Sequence, residues 1–467
     1  MKSENTLRRL LGGMSGHAAM RATLMVQSVV LVPVLIAGWG VEGYGAWLAL
    51  MALGSYAGVT NFGLTDASGS AMLLATGAGD TVRAQAIFST TLAALLLLAV
   101  PVQMLVAGMV IFLPIRSWLN LELLTQRDIV LTMLLLAGQV WLVTLKGLFA
   151  AAIATTGRFG LSNALSAGTK LVEILATAVL VFFFHGTILD AAMIVVVIAL
   201  VDLIVQAVTA WRLVHWVGGL RLRIERVMLA TLIRPSLGNL VLQMGVNAIV
   251  VQGPRIALAA LAGPVVVAAF AVHVTAARLT QQVVSMLAGP MMLEMSMAIG
   301  RSDRERALDL LVAGVHATIL IGVVFLSVAS IAGIWVIPIW TTRAVTFQPA
   351  LFAIVGIMTL ANNAASIPLG VLIGANRVLR AAVEMTFAGA IAIALGAALV
   401  PVLGAKGMAL GCALAEFTFL VIVLRRVTTV LHRSTGSIVQ RLLEVDRSAR
   451  QGWHMIRAVD MRRLRKS

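Results

Sequence analysis

About a dozen long apolar segments, separated by short stretches that hold most of the charge, exclude a water-soluble fold for this chain. A membrane-spanning helix needs roughly 20 apolar residues. Candidate spans fall near 19–38, 45–66, 86–113, 129–151, 162–184, 189–211, 236–261, 264–296, 308–332, 348–374, 381–400 and 407–427. Only 12% of the 467 residues are charged, against about 25% in a soluble domain. In lipid every backbone polar group must be satisfied within the protein, so uninterrupted spans of this length are helices. The fold class is therefore an all-α polytopic membrane protein with about 12 transmembrane helices.

The basic residues orient these spans. Of 35 Lys and Arg, 27 fall on the side that carries both termini, four (Arg116, Arg127, Arg343 and Lys406) on the other, and four inside the spans. By the positive-inside rule both termini are cytoplasmic. The net charge of +16 then reflects loops and tails that face anionic headgroups rather than nucleic acid. Cys412 is the sole cysteine and lies in an apolar segment, which excludes a disulfide framework or a thiolate metal site. The first apolar run follows Lys2, Arg8 and Arg9 and ends in Ala37-Gly38-Trp39-Gly40 without an A-x-A site, so it reads as a retained helix. Nucleotide-binding G-x-x-x-x-G-K-[ST], H-E-x-x-H and G-x-S-x-G signatures are missing. The longest outer loops, about fifteen residues, are too short for a catalytic domain. The sequence thus points away from an enzyme and implies no cofactor and no metal.

An internal repeat divides the chain. Gly77-Ala-Gly-Asp80-Thr-Val-Arg83-Ala84 and Gly300-Arg-Ser-Asp303-Arg-Glu-Arg306-Ala307 both read G-x-x-D-x-x-R-A, 223 residues apart. Thr156-Gly157-Arg158 corresponds to Ala375-Asn376-Arg377 at an offset of 219. Two six-helix halves in the same sense are a transporter arrangement. The expected organisation is an amphipathic cytoplasmic segment (1–18), a first lobe (19–211), a basic linker (212–235), a second lobe (236–427) and a basic tail (428–467). In the tail, Ile438, Leu442, Val445, Ala449, Trp453 and Ile456 keep roughly helical spacing between arginines. That pattern suits an amphipathic helix on anionic lipid, a solvated basic tail, or a segment that docks on a partner enzyme.

Charges inside the membrane are costly and bear on function. Lys146 and Lys170 lie toward the cytoplasmic ends of the fourth and fifth spans, where snorkelling to the headgroups also accounts for them, and Glu173 lies one turn from Lys170. Arg278 shares a helical face with Gln281, Gln282 and Ser285. Gln243, Asn247 and Arg255 form a comparable stripe on the seventh span, where Gly253-Pro254 is expected to kink the helix. Such stripes suit the wall of a wet pocket, with polar packing between helices as the plainer account. Arg21, at the start of the first span, either enters the mouth of a cavity or anchors the helix. Glu173, Asp202 and Glu416 also fall within spans. They could take up a proton and couple transport to an ion gradient, or pair with the lysines. Intramembrane bases at least match the acids, which favours an anionic cargo.

The stretches Glu42-Gly-Tyr44-Gly45-Ala-Trp47 and Thr60-Asn61-Phe62-Gly63-Leu64-Thr-Asp66-Ala67, followed by Gly79-Asp80-Thr-Val-Arg83-Ala84, resemble the start of bacterial polysaccharide flippases. These translocate O-antigen and exopolysaccharide repeat units and belong to the multidrug/oligosaccharidyl-lipid/polysaccharide (MOP) exporter superfamily. The motifs cover roughly residues 40 to 90, and Asn61 stands where the family more often has Asp. The resemblance implies a two-lobed, MATE-like fold that alternates access around a central cavity in the bacterial inner membrane. Its implied cargo is a polyprenyl-diphosphate-linked oligosaccharide, moved from the cytoplasmic to the outer leaflet. Expected partners are that lipid-linked oligosaccharide, membrane lipids, and glycosyltransferases or a polymerase of a polysaccharide pathway, with no nucleic acid. Arg255, Arg278, Lys146, Lys170, Arg21, Gln243, Asn247 and Gln281 are the candidate residues for the diphosphate and sugar. A multidrug or metabolite antiporter of the same superfamily, a membrane-embedded glycan polymerase or ligase, and a non-transporting scaffold stay open.

Overall fold

Gly40 shows how the chain ends one apolar span and begins the next. The computed structural model describes residues 2–57, 63–217, 224–243, 250–300, 303–374 and 377–443. Its first helix, α1 (Lys2–Ser55), breaks at Gly40 (φ 73°, ψ 176°). Any side chain would be strained in that region of backbone space, so the break needs glycine. Trp39 donates its indole N–H to the Gly186 carbonyl at 2.6 Å, and its ring lies 5.9 Å from that of Trp47. The break between the first two expected spans is thereby held by two large aromatic side chains.

The remaining helices are α2 (Leu64–Gly77), α3 (Thr81–Phe112), the short α4 (Ile115–Trp118), α5 (Gln126–Ala154), α6 (Phe159–Phe184) and α7 (Ile188–Leu213). They continue with α8 (Arg226–Gln243), α9 (Gly253–Ala262), α10 (Pro264–Gly300), α11 (Arg304–Trp340), α12 (Pro349–Gly374), α13 (Val378–Leu403), α14 (Ala405–Leu431) and α15 (Thr435–Leu443). Among the described residues ten helices are long and apolar enough to cross a membrane. The first two expected spans count as one helix across Gly40, and the seventh includes residues 244–249, which lie outside the described residues. Phe112, Phe184 and Ile339 are more than 70% exposed, as lipid-facing side chains of a spanning helix should be.

The repeated motif has the same structural role in both copies. Asp80 caps α3 by accepting from the Arg83 N–H at 2.9 Å, and Asp303 accepts from the Arg306 N–H at 3.2 Å where α11 begins. The alanine that closes each motif, Ala84 or Ala307, is fully buried. In the second pair of matched loops, Arg158 and Arg377 both occupy the N-cap position, of α6 and α13 respectively. The repeat therefore specifies helix starts. The carboxylate supplies an acceptor for a backbone donor that a helix N-terminus leaves unmatched.

The chain divides into two compact units, Met1–Val272 with Val336–Thr346, and His273–Trp335 with Phe347–Ser467. In the first, α1 packs on α5, α6 and α9, and α7 packs on α5 and α6. A core of Met72, Ile87, Phe88, Leu95 and Leu148 joins α2, α3 and α5. In the second, α14 packs on both α12 and α13. The first unit thus takes in α9 and the start of α10, which the repeat counts with the second half. A repeat reports the order of helices, whereas a unit reports what they pack against.

The α13–α14 crossing is close because glycines face each other. A Cβ on Gly411 would lie 2.6 Å from the Ala392 carbonyl oxygen. Close backbone approach through small residues is how helices gain packing energy in lipid. Gly411→Ala should cost about 1–3 kcal/mol by overpacking, read as a lower unfolding temperature in detergent.

The described part of the tail docks on the protein itself. Ile438 of α15 is buried, His316 contacts the Leu442 carbonyl at 2.7 Å, and Arg441 pairs with Glu305 (2.9 Å) and Asp309 (2.8 Å) of α11. Residues 435–443 thus pack on α14 and are tied to α11 by polar contacts, and Val445, Ala449, Trp453 and Ile456 lie outside the described residues.

Candidate functional site

Polar side chains inside the spans gather into a seam within each unit. In the first unit Ser162 and Ser166 lie one turn apart on α6, and Asp202 and Gln206 one turn apart on α7, so each pair shares a helical face. Lys146 of α5 completes the group, with its Nζ 3.1 Å from Asp202 Oδ2. Ser166 Oγ donates toward both carboxylate oxygens at 3.2 Å, and Gln206 donates to Ser166 Oγ at 3.1 Å and to the Ser162 carbonyl at 2.9 Å. The Ser162 hydroxyl donates back to Gln206 Oε1 at 3.0 Å. This network is closed, with the lysine charge met by a carboxylate and the carboxylate by a lysine and a hydroxyl. Ser162, Ser166 and Gln206 were not anticipated from the sequence. Their signal was the spacing of four between small or amide residues in two apolar spans.

The other anticipated residues of this unit have different surroundings. Lys170 pairs with Glu173 on its own helix at 2.6 Å, one turn away. Arg255 donates to Gln252 Oε1 at 3.2 Å and lies within electrostatic range of Tyr44. Pro254 sits in the first turn of α9, directly after a π-type turn at 250–252. Residues 244–249, through which the seventh span would run into that turn, lie outside the described residues. Arg21 is exposed on α1. Gln243 closes α8 with its side chain outside the described residues, and Asn247 lies wholly outside them.

The seam of the second unit has a different character. Gln281 of α10 donates to Asn362 Oδ1 of α12 at 2.5 Å, and Asn362 donates to Glu416 Oε2 of α14 at 2.9 Å. Asn363 reaches Thr280 Oγ1 at 3.4 Å. Glu416 is 4% exposed. Arg278 stands one turn before Gln281 and Gln282, within electrostatic range of Glu416, yet forms no ion pair within 4.0 Å among the described residues. Its Nε is buried without a hydrogen-bond partner, as are Gln282 Oε1 and Asn363 Oδ1. Each such buried group costs about 1–3 kcal/mol, so three in one seam call for a ligand or water that would satisfy them. A buried cationic donor with the Gln282 acceptor one turn along the same helix matches an anion that also carries hydroxyls. Asn362 and Asn363 were missed in the sequence, although two adjacent amides in an apolar span are a legible signal.

The two seams occupy related helices. Lys146 and Asp202 bridge α5 and α7, and Asn362 and Glu416 bridge α12 and α14, at offsets of 216 and 214 residues. Where the first copy has a resident lysine, the second has a neutral asparagine, so the charge opposite Glu416 comes from Arg278 of α10. No group of three or more His, Cys, Asp or Glu that could hold a metal occurs among the described residues.

No protein-family model and no curated protein sequence matches the chain. Solved structures do. An inward-facing multidrug resistance MATE family transporter of the MOP superfamily aligns with a TM-score of 0.67 at 14% identity, over 90% of this chain and 95% of that one. The fold is MATE-like. A eukaryotic MATE transporter matches with a TM-score of 0.61 at 14% identity, over 94% and 98% of the two chains. A MOP superfamily transporter from Pyrococcus furiosus matches with a TM-score of 0.57 at 13% identity, over 91% and 95%. That structure is described as having a binding pocket of reversed polarity that suggests a different function. At these identities the likeness concerns the MATE-like fold alone, and the polar seams have to be read from this chain's own residues.

Proposed function

We propose that this chain is a flippase that carries a polyprenyl-diphosphate-linked oligosaccharide from the cytoplasmic to the outer leaflet of a bacterial inner membrane by alternating access. The single observation that supports this most is the unmatched guanidinium edge of Arg278 in an apolar span, with Gln282 and Asn363 acceptors in the same seam. A diphosphate supplies the acceptors that guanidinium binds best, and sugar hydroxyls supply donors for the amides. The lipid tail stays in the bilayer while the polar head crosses.

A second reading is antiport of a cationic drug, which suits the MATE-like fold and the buried carboxylate of Glu416. The two make opposite demands on charge in the second seam. Purified protein in vesicles separates them when supplied with a fluorescent polyprenyl-diphosphate oligosaccharide on one leaflet and, separately, with a lipophilic cation. Transfer of the lipid-linked sugar to the other leaflet is the expected result. Cation accumulation without sugar transfer would overturn the flippase reading, and new glycosidic bonds would make the protein a polymerase or ligase.

A further inference from the structure

Among the described residues, Arg278 is the charged group that acts on Glu416. Packed against α14, the helix α12 carries no titratable residue and offers Glu416 only the amide of Asn362. On α13, Glu384 pairs with Arg426, and Arg380 is exposed at the helix start. On α15, Arg441 is held by Glu305 and Asp309. Along α14 itself, Lys406 is exposed ten residues before Glu416, and Cys412 lies one turn away. From α10 comes Arg278.

Both charges therefore depend on each other, but loosely. Asn362 holds one oxygen of Glu416, and Gln281 holds Asn362, so the carboxylate is tethered toward α12 rather than clamped on the guanidinium. Lys146 and Asp202 of the first unit, by contrast, are bonded directly to each other. An anion that seats on Arg278 takes the counter-charge away from Glu416 and adds a second negative charge beside it. Two anions in a low-dielectric site cannot both stay ionised without a large cost, and a carboxylate relieves it by accepting a proton.

We infer that Arg278 and Glu416 form a linked pair in which an anion on the guanidinium and a proton on the carboxylate bind together. This rests on the anionic-cargo reading above and adds its coupling: each cargo anion enters with one proton taken from water onto a Glu416 oxygen. Linkage is reciprocal, so the proton strengthens anion binding by the factor that the anion strengthens proton binding. The sign is opposite to that of an exchanger, in which proton and cargo displace each other.

The test uses the full-length protein in detergent and farnesyl diphosphate as the probe. Titration calorimetry in two buffers of different ionisation enthalpy counts protons taken up per anion bound. At pH 8 a phosphate whose last ionisation lies near about 6 is already dissociated, so uptake belongs to the protein. About one proton per anion is expected, with affinity falling about tenfold per pH unit as pH rises, the slope for one linked proton. Glu416→Gln should still bind the probe, with no proton uptake and no such slope. Saturable binding with no uptake and a flat pH profile in the natural protein would overturn the linkage and leave the anion site standing. Uptake that persists unchanged in Glu416→Gln would overturn the assignment to this residue. No saturable binding at any pH would overturn both the linkage and the anionic-cargo reading. The natural protein's pH profile decides the linkage even if that variant does not fold, and Glu416→Asp, which keeps an ionisable group, then tests the residue by a shifted profile; an unshifted one would overturn the assignment.

Discussion

Arg278→Glu is expected to abolish transfer of the lipid-linked oligosaccharide while the protein still inserts and folds. The substitution places a second carboxylate beside Glu416 and removes the cation whose Nε lacks a partner. Removing one member of a buried, hydrogen-bonded charge pair costs about 2–5 kcal/mol, which corresponds to roughly 30- to 5,000-fold in cargo affinity. Arg278→Lys keeps the charge but loses the planar fork, so it should retain transfer at a rate reduced by about tenfold or more. Initial transfer rates in vesicles, with melting curves for each variant, make the comparison. A lipophilic cation run in parallel gives the opposite ordering if the protein is a drug exporter, since a more acidic seam would then improve transport. Wild-type sugar transfer by Arg278→Glu would sink the flippase proposal.

The largest expected effect on stability comes from the other seam. Lys146→Met leaves Asp202 with Ser166 but without its cation. Breaking a buried pair by removing one partner costs about 3–5 kcal/mol. Because the two side chains are 19% and 11% exposed, the lower end, about 3 kcal/mol, is expected. Lys146→Met combined with Asp202→Leu should recover most of the loss, because no charge is then left without a partner. Thermal melts of the two single variants and the double variant complete the cycle. A double variant no more stable than Lys146→Met would mean that the pair is not the source of the stabilisation.

Lys146, Lys170 and Arg278 all stand out in the sequence as charges in apolar spans, the two lysines with a plainer account as anchors near the cytoplasmic ends. For Lys170 the partner was readable, since Glu173 lies one helical turn away on the same helix. For Lys146 it was not, because Asp202 is on another helix, and neither Ser166 nor Gln206 stood out without its neighbours. Arg278 and Gln281 share a helical face that the sequence shows, but Asn362, which links that amide to Glu416, is 81 residues away from Gln281 in the chain.

What the sequence determined by itself was local or periodic. Spans follow from hydropathy, the helical face from a period of 3.6 residues, and the starts of α3 and α11 from an aspartate three residues before an arginine. Each needs only interactions within a few turns of one helix. The tertiary structure alone decided which intramembrane charges are already satisfied. That depends on which helices lie side by side, and a carboxylate 54 residues from its amide donor leaves no trace in either one's local pattern. Burial then makes the outcome matter: in a low dielectric a matched Lys146 is a structural clamp, whereas the unpartnered Nε of Arg278 is where the proposed cargo would bind.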